Sequence, residues 1–260
     1  MKLQTPLFKY TFQAAALVDI GQKRSSNQDE VITCPEQGFY AVSDGMGGLP
    51  NGGGGVTSDM IRQVLPLMVR EAVSLLEGKP APKRAAELLK QQVQTLSDNI
   101  YDTGNSERHT YFGATLSGVW LIGRHALFVN LGDSRGYLLP RFKKNIRQVT
   151  TDHNLAAILV ELGKLSKEEA RNHSSSSRLV QFAGMQAPAK PDVFICEVRP
   201  GDRLLLCSDG LYGMVDDGRL SRLMRSARRS PDRVCRNLVD EANACGGRDN
   251  ISVVYLKILK

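Results

Sequence analysis

The stretch FYAVSDGMGG, Phe39–Gly48, is a short apolar run that ends on one carboxylate, Asp44, followed by glycines. Apolar runs of this length, bounded by glycine, are typical of buried strands. We therefore predict a strand over residues 38–43 that places Asp44 at the edge of a hydrophobic core. A charged carboxylate is costly at such a place unless a positive group compensates it.

The same arrangement recurs elsewhere in the chain. LFVNLGDSRGYLL places Asp133 at the end of an apolar run, RLLLCSDGLYG does the same for Asp209, and GGRDNISVVYL sets Asp249 just before one. Hydrophobic packing does not require aspartates at strand ends. A divalent cation would compensate the charge of several such carboxylates, and a site with only oxygen ligands favours Mg²⁺ or Mn²⁺ over zinc. The alternative is that each of these aspartates is only a turn residue, since Asp-Gly and Asp-Asn are common in turns.

Two amphipathic helices are predicted after the glycine-rich stretch. Apolar residues recur at three- and four-residue spacing over Val56–Leu76, and Pro66 within this run predicts a kink or a local break. A second apolar stripe over Ala85–Ile100 predicts a helix antiparallel to the first. We expect this helical hairpin to cover a sheet.

Strand patterns come in groups and do not alternate with helices. Two further helices are expected late in the chain, one near Asp216 and one announced by Ser230-Pro231, a capping residue followed by proline. This order argues against a Rossmann-type sheet and favours an α+β fold with an antiparallel sandwich inside its helices. The predicted strands are residues 11–19, 38–43, 114–122, 125–133, 136–142, 193–198, 203–209 and 251–259.

The segment Thr150–Gly184 differs from its surroundings because it is polar and serine-rich. Ser166 followed three residues later by Glu169 is a capping-box signature and predicts a short helix there. We interpret this segment as a flap outside the core. The whole chain, residues 1–260, is expected to be a single catalytic domain.

Composition excludes several classes of protein. An apolar share of 42% and a charged share of 23% are those of a globular protein with a substantial core. No run of about 18 apolar residues is present, and the N-terminus does not resemble a signal peptide. The five cysteines form no CxxC pair, which favours free thiols in a reducing compartment. We expect a cytoplasmic monomer that makes no contact with membranes.

The net charge of +7 raises nucleic-acid binding as an alternative. Much of the positive charge lies in the segment Arg219–Arg233, without a recognition motif or interleaved aromatic residues. A solvated basic face is therefore the favoured interpretation, and no nucleic-acid partner is expected. Nucleic-acid binding would predict a salt-sensitive affinity for DNA or RNA. The positive charge is also suited to encounters with acidic or phosphorylated partners.

Several aspartates without histidine or cysteine ligands suit two divalent ions that share oxygen ligands. Two such ions about 3.5–4 Å apart bind a bridging water, lower its pKa and direct it at phosphorus. Gly45 has no side chain, so its carbonyl oxygen is free to approach a metal. Arg24 is the candidate for binding phosphate, because guanidinium donates two parallel hydrogen bonds.

Five motifs span nearly the whole chain, in the order RSSNQD (Arg24–Asp29), SDGMGG (Ser43–Gly48), GDSR (Gly132–Arg135), SDGL (Ser208–Leu211) and RDNIS (Arg248–Ser252). Together they resemble the bacterial branch of the metal-dependent serine/threonine protein phosphatases, the type 2C family. The resemblance implies a four-layer α-β-β-α sandwich, with two antiparallel sheets face to face and helix pairs on both outer faces. It also implies that a metal-activated water hydrolyses phosphoserine and phosphothreonine, without a phosphoenzyme.

The resemblance also implies a role for each site residue. Asp44 would bridge the two Mn²⁺ or Mg²⁺ ions, and the Gly45 carbonyl would hold one of them. Asp209 and Asp249 would complete the shell of the opposite ion. Substrates would be phosphorylated proteins, in opposition to a cognate serine/threonine kinase. Of the remaining residues, Asp29 would act through bound waters, Arg24 would hold the substrate phosphate, Asp133 would bind a third, weaker ion, and residues 150–184 would form the flap.

Two positions depart from the family pattern. Gln28 stands where many relatives have glutamate, and Asn51–Gly55 stands where relatives often have an acidic residue before the helix. The four consecutive glycines of this stretch predict an unusually flexible loop. These departures motivate an alternative function, a catalytically silent module that binds a phosphoprotein.

Several residues keep two interpretations. His153 is either a catalytic acid for the leaving alkoxide or, as we favour, a structural histidine. Asp133 could instead pair with Arg135, and Arg24 could be a surface cation. Ser174–Ser177 is either a flexible loop or a phosphorylated one. Cys207 is expected to be a buried packing residue and not a nucleophile, since no histidine is adjacent in the sequence.

Overall fold

The structure is a computed structural model that describes residues 2–46, 53–107, 113–171, 173–226 and 230–260. In these ranges ten strands form two five-stranded sheets, and all their pairings are antiparallel. The first sheet has the order β1 Phe12–Asp19, β10 Ile251–Ile258, β9 Arg203–Cys207, β6 Arg135–Leu139 and β7 Arg147–Gln148. The second has the order β2 Asp29–Cys34, β3 Phe39–Asp44, β4 Leu116–Ile122, β5 His125–Leu131 and β8 Asp192–Glu197.

Helices lie on the outer faces of both sheets, and three short ones lie between β7 and β8. Two long helices cover the second sheet and two shorter ones cover the first. The helices are α1 Gly54–Ser74, α2 Pro82–Glu107, α3 Leu155–Glu161, α4 Lys167–Arg171, α5 Asp209–Tyr212, α6 Asp217–Met224 and α7 Pro231–Ala244, with a 3-10 turn at Ser174–Ser177.

Three hydrophobic layers hold the four layers of secondary structure together. Ile61 and Leu89 pack with Trp120 between the α1/α2 pair and the second sheet. Phe12 and Tyr40 meet edge to face between the two sheets, with ring centroids 6.1 Å apart. A third layer, which includes Leu238 and Tyr255, joins α6 and α7 to the first sheet. Each sheet therefore buries both faces, and the predicted α-β-β-α sandwich is confirmed.

The two long helices confirm the predicted helical hairpin, but the prediction of a local break at Pro66 is wrong. Helix α1 runs through Pro66 without interruption. Ile61, Leu65 and Val69 are fully buried on both sides of the proline. Their packing on the sheet holds both halves of the helix in place, although proline cannot donate a backbone hydrogen bond.

The elements that the sequence pattern did not predict include β2, β7 and α5. Strand β2 begins with the polar residues Asp29 and Glu30, and only Val31 and Ile32 form an apolar pair in it, so the sequence shows no strand pattern there. In the structure β2 pairs with β3 along its whole length. Helix α5 is a single turn that follows β9 directly, and it is too short to show a helical period.

Three helix starts agree with the predicted caps. The Ser166 hydroxyl accepts from the Glu169 N–H at 3.2 Å, and a Glu169 carboxylate oxygen accepts from the Ser166 N–H at 2.8 Å, which completes the capping box. Asp216 caps α6, and Ser230 caps α7 with Pro231 at the first helical position. None of the helices in the described ranges is long and apolar enough to cross a membrane.

Candidate active site

The predicted aspartates lie at strand ends that meet at one edge of the sandwich. Asp29 begins β2 and Asp44 ends β3, and the two face each other in the antiparallel register. Asp209 stands two residues after the end of β9, and Asp249 stands two residues before β10. Asp133 comes two residues after the end of β5. Both sheets therefore contribute carboxylates, which explains why residues distant in sequence meet.

One cavity of about 360 Å³ collects nearly all of these groups. Asp29 lies behind it, 3% exposed, next to Asp44. The turn interpretation of the aspartates does not account for this convergence, since turn residues at four separate strand ends have no reason to face one another. The residues of the predicted site that line the cavity are Arg24, Asp44, Gly45, Asp133, Asp209 and Asp249.

The carboxylates raise one another's pKa. Burial, followed by repulsion from Asp29 and Asp209, holds the pKa of Asp44 well above its ordinary value. Burial and the neighbouring Asp249 raise the pKa of Asp209 to about 6. Burial and the negative charge of Asp209 raise the pKa of Asp133 to about 8. Negative charge is therefore concentrated here beyond what the protein neutralises.

The oxygen atoms of the site fit divalent cations. The pKa of Asp29 is raised to about 6, first by burial, and its Oδ2 atom is buried without a hydrogen-bond partner, as is Oδ1 of Asp209. Buried acceptors without donors are rare in proteins, and a cation would satisfy them. In the described residues no three acidic, histidine or cysteine side chains already form the shell of one ion. Ions bound here would therefore also use backbone carbonyls and water.

Gly45 sits where no other residue fits. A Cβ atom at this position would lie 2.7 Å from the Gln28 carbonyl oxygen and even closer to the Gly54 carbonyl at the start of α1. The backbone just after β3 therefore lies in close contact with the residue before β2 on one side and with the first residue of α1 on the other. This close approach explains why a glycine follows Asp44 and leaves the Gly45 backbone exposed to the cavity.

Asn250 is a functional-site residue that the sequence analysis did not single out. Its Oδ1 accepts from the Gln28 N–H at 2.9 Å, and its Nδ2 donates to the Ile20 and Ser26 carbonyls at 3.0 Å each. Asn250 thereby ties the loop that carries Arg24 to the start of β10. Its position beside Asp249 in the RDNIS motif was the signal that could have found it.

Arg24 is held at the mouth of the cavity by an ion pair. Its Nη2 atom lies 2.7 Å from Oδ2 of Asp249, while 49% of the side chain stays exposed. This hydrogen bond raises the pKa of the Arg24 guanidinium above its ordinary value. An arginine so placed is not a detached surface cation, because its position is fixed relative to the carboxylates.

The alternative pairing of Asp133 with Arg135 is wrong. Arg135 instead contacts both carboxylate oxygens of Asp152, with Nη2 to Oδ2 at 2.7 Å and Nε to Oδ1 at 3.0 Å. Its guanidinium stacks on the Tyr212 ring, 3.7 Å from the centroid, and Tyr212 donates to the Asp133 carbonyl at 3.0 Å. This group fixes the backbone around Asp133 and leaves its carboxylate facing the cavity.

The structure favours the structural interpretation of His153. Its Nδ1 accepts from the Gly132 N–H at 3.3 Å, and its Nε2 lies 3.0 Å from a carboxylate oxygen of Asp192. The side chain is 10% exposed and lies outside the 360 Å³ cavity, in an adjoining groove of about 1150 Å³ that Asp133, Asp209 and Asp249 also line. Cys207 is fully buried, and burial raises the pKa of its thiol, so its interpretation as a packing residue is confirmed.

The two departures from the family pattern lie beside the site. Gln28 lines the cavity together with Asp44. Asn51 and Gly52, and with them part of the predicted flexible loop, lie outside the described residues, as do Gly47 and Gly48 of the SDGMGG motif. Gly54 and Gly55 form the first turn of α1. Ser174–Ser177, predicted as a loop, is a 3-10 turn in which Ser175 is buried.

Comparisons with known proteins agree with this geometry. The chain matches the family model described as protein phosphatase 2C over residues 21–243. It is 32% identical over 243 residues to the serine/threonine phosphatase stp of Listeria welshimeri. The aligned residues are 92% of this chain and 93% of that protein.

Two solved structures have the same fold. Stp1 from Staphylococcus aureus has a TM-score of 0.83 at 26% identity and covers 100% of this chain and 98% of that one. The catalytic domain of the serine/threonine protein phosphatase PstP, in complex with 2 manganese ions, has a TM-score of 0.77 at 27% identity. This match covers 96% of the present chain and 99% of the PstP chain.

The family match includes most of the residues that suggested the resemblance. The motifs from Arg24–Asp29 to Ser208–Leu211 lie inside residues 21–243, while Arg248–Ser252 lies beyond them. The described sheets and helices have the architecture that the resemblance implied. This chain belongs to the protein phosphatase 2C family of metal-dependent serine/threonine phosphatases.

Proposed function

We propose that this phosphatase hydrolyses phosphoserine and phosphothreonine in proteins at the cavity between its two sheets, with two Mn²⁺ or Mg²⁺ ions held by Asp44, Gly45, Asp209 and Asp249. The observation that carries the proposal is the convergence of these oxygens, with raised carboxylate pKa values, beside Arg24. When bound, such ions supply a water of lowered pKa and offset charge on the phosphoryl oxygens.

Asp44 has the central role because the negative charges of all four other aspartates of the site act on its carboxylate. Repulsion from Asp29, Asp209, Asp133 and Asp249 all raises its pKa, after burial. A carboxylate with neighbours on all sides is suited to bridge two cations. The Gly45 carbonyl would hold one of the ions, while Asp209 and Asp249, which approach from the other sheet, would hold the opposite one.

Asp29 and Asp133 would act at the edges of the site. Asp29 is buried behind Asp44 and would contact the ions through water. Asp133 would bind a third, weaker ion, because its carboxylate faces the cavity with a pKa of about 8 and has Asp209 as its first charged neighbour.

Arg24 would orient the substrate. Its guanidinium already lies at hydrogen-bond distance from one carboxylate and is half exposed at the cavity mouth. In this position it can donate two parallel hydrogen bonds to a phosphate. Its ion pair with Asp249 sets the direction from which a phosphorylated side chain would enter.

The remaining expectations are also proposals. We propose that residues 1–260 act as a single catalytic domain and as a monomer in the cytoplasm. Residues 150–184 would form the flap, since Leu179 and Phe182 of this segment line the same cavity as the carboxylates. A cognate serine/threonine kinase would generate the substrates.

The test is phosphate release from a phosphothreonine peptide, titrated with Mn²⁺ and repeated with EDTA. We expect activity that rises with Mn²⁺ and vanishes with the chelator, and a separate titration with Mg²⁺ would rank the two ions. Absence of activity at every Mn²⁺ concentration, from a sample shown to be folded by circular dichroism, would refute the proposal. That result would support the silent phosphoprotein-binding module, which the comparisons do not favour.

A further inference from the structure

The turn between β6 and β7 carries the most exposed large apolar side chain in the described part of the chain. Phe142 is 88% exposed at the tip of this hairpin, whereas core rings such as those of Phe12 and Phe128 are fully buried. The Arg141 guanidinium lies 5.0 Å from its ring centroid. Lys143 and Lys144 follow and are both exposed. The turn thus presents one aromatic ring surrounded by cations.

Neighbouring elements add further positive charge around this turn. The Arg225 guanidinium, at the end of α6, donates to the Lys143 carbonyl. Arg203 pairs in register with Leu139, at the end of β6, and also with Lys257 on β10. Adjacent strands are about 4.8 Å apart, so these side chains stand side by side. We refer to Arg141, Phe142, Lys143, Lys144, Arg203, Arg225 and Lys257 together as the basic tip.

No acidic side chain neutralises the basic tip among the residues that the structure describes. None of its six cations forms an ion pair in these ranges. Asp202 lies beneath the turn but is buried, and its two oxygens accept from the Arg141 and Arg199 backbone amides at 2.8 and 2.9 Å. The positive charge of the basic tip is therefore available to a partner.

We propose that the basic tip attaches the enzyme to an anionic lipid surface, with Phe142 inserted at the level of the headgroups and the cations on the lipid phosphates. A bilayer offers negative charge and an apolar layer together without requiring a shaped pocket. A convex turn with one aromatic ring suits such a surface better than the concave pocket that anchors an interface residue of a protein partner.

The position of the basic tip would leave catalysis unobstructed. Asp133 stands before the start of β6 and the tip follows its end, so the strand of five residues separates them by roughly 15 Å or more. The cavity would then face away from the lipid. The expectation of no membrane contact rested on the lack of a spanning helix, and surface attachment does not need one.

The experiment uses the whole chain with Phe142→Trp as a fluorescent probe. The natural chain has one tryptophan, Trp120, which is fully buried and serves as a constant background. Vesicles of phosphatidylcholine alone are compared with vesicles in which part of it is replaced by phosphatidylglycerol. We expect a blue shift and co-sedimentation only with the anionic vesicles, and both should be lost at high salt.

The charge dependence is tested in the same background. Lys143→Glu/Lys144→Glu should weaken vesicle binding by about tenfold or more, because each basic residue near an anionic surface contributes separately. The matched control, Lys83→Glu/Lys90→Glu, makes the same change of charge on exposed positions of α2 and should bind as before. Phosphatase activity on a soluble phosphopeptide should be unchanged in both variants, which verifies their fold.

Three results would overturn the proposal. The first is no binding to anionic vesicles at low salt by an active enzyme. The second is equal binding by the Lys143→Glu/Lys144→Glu variant. The third is binding of poly-glutamate or duplex DNA without binding of vesicles, which would assign the basic tip to an acidic protein segment or to nucleic acid.

Discussion

Asp29 and Asp44 are direct cross-strand neighbours in the antiparallel pair β2–β3. Like charges at opposed positions destabilise a sheet. Burial raises the pKa of Asp29 to about 6 and, together with the charge of Asp29, holds that of Asp44 well above its ordinary value. The protein therefore contains a site that is unfavourable without cations, and the cost should be measurable.

The first prediction concerns the pH dependence of stability in the presence of EDTA. The folded protein retains protons on Asp29, Asp209 and Asp133 up to a pH of about 6 to 8, whereas the unfolded chain releases them near pH 4. Between these values the folded state binds more protons, so the free energy of unfolding should fall as the pH rises. We expect a loss on the order of a few kcal/mol, measured by urea unfolding.

Two comparisons identify the groups responsible. Asp133→Asn should flatten the dependence between pH 6 and pH 8, because it removes a carboxyl whose pKa is raised to about 8. Saturating Mn²⁺ should reduce the slope in the natural protein, since cations stabilise the ionised carboxylates. A stability that rises with pH over this window in EDTA would contradict the pKa shifts.

The places where strands end near the site could be predicted from the sequence. Because desolvating a charge is costly, a buried apolar run stops close to an aspartate. Asp44, Asp133, Asp209 and Asp249 all interrupt or adjoin apolar runs, and this placement is visible without a structure. What could not be predicted is which carboxylates face each other. That depends on strand register, and β2 escaped detection because its outward positions are polar.

Hydrogen bonds from side chains to backbone atoms also could not be predicted from the sequence. Asn250 holds the Arg24 loop by contacts to backbone amides and carbonyls, which any residue could supply. Arg135 was a candidate partner for Asp133 by proximity in sequence. In the structure it pairs with Asp152, 17 residues away, because β7 pairs with β6 and brings the residues that follow β7 alongside Arg135.

Asp209→Asn should abolish turnover and leave the fold intact. The substitution keeps the volume of the side chain but removes a carboxylate charge from the shell of one of the two cations, so kcat should fall at least about 100-fold. The measurement is phosphate release at saturating Mn²⁺, with circular dichroism for the fold. Asp240→Asn, on an exposed position of α7, makes the same change and should retain full activity. Wild-type activity in Asp209→Asn would refute the metal assignment.

Asp152→Asn should destabilise the protein by about 2–4 kcal/mol, because it leaves the Arg135 guanidinium without its countercharge in a nearly buried place. The side chains of this pair are 14% and 11% exposed. The exposed pair of Asp59 with Arg62 provides the control, with side chains 41% and 44% exposed. Asp59→Asn should cost about 1 kcal/mol or less. Equal losses in the two variants would show that Asp152 contributes no more than a surface pair.

Gly45→Ala should lower both stability and Mn²⁺ affinity. The new Cβ atom would collide with the Gln28 and Gly54 carbonyls, which are backbone atoms and cannot move independently. We expect a loss of at least about 2 kcal/mol, measured by urea unfolding, and weaker Mn²⁺ binding by calorimetry. Gly55→Ala is the control, since its nearest neighbours lie 3.7 Å away and alanine favours the helix. That variant should be neutral or slightly stabilised.

His153→Gln separates a structural histidine from a catalytic acid. A catalytic acid protonates the leaving alkoxide, so its loss should reduce kcat by about 10²–10⁴ for a phosphoserine peptide. The loss should be much smaller for an aryl phosphate, whose leaving group needs no proton. Because both ring nitrogens of His153 have partners outside the cavity, we expect kcat to fall less than about tenfold, and equally for the two substrates.

The accompanying change should be one of stability. Losing the contacts to Gly132 and Asp192 should cost about 1–3 kcal/mol, because the Gly132 amide is left without its partner. His125→Gln changes a histidine at the opposite end of β5 from the cavity and controls for the loss of an imidazole. A large loss of kcat confined to the phosphoserine peptide would show that His153 reaches the leaving group during turnover, and the structural assignment would then be wrong.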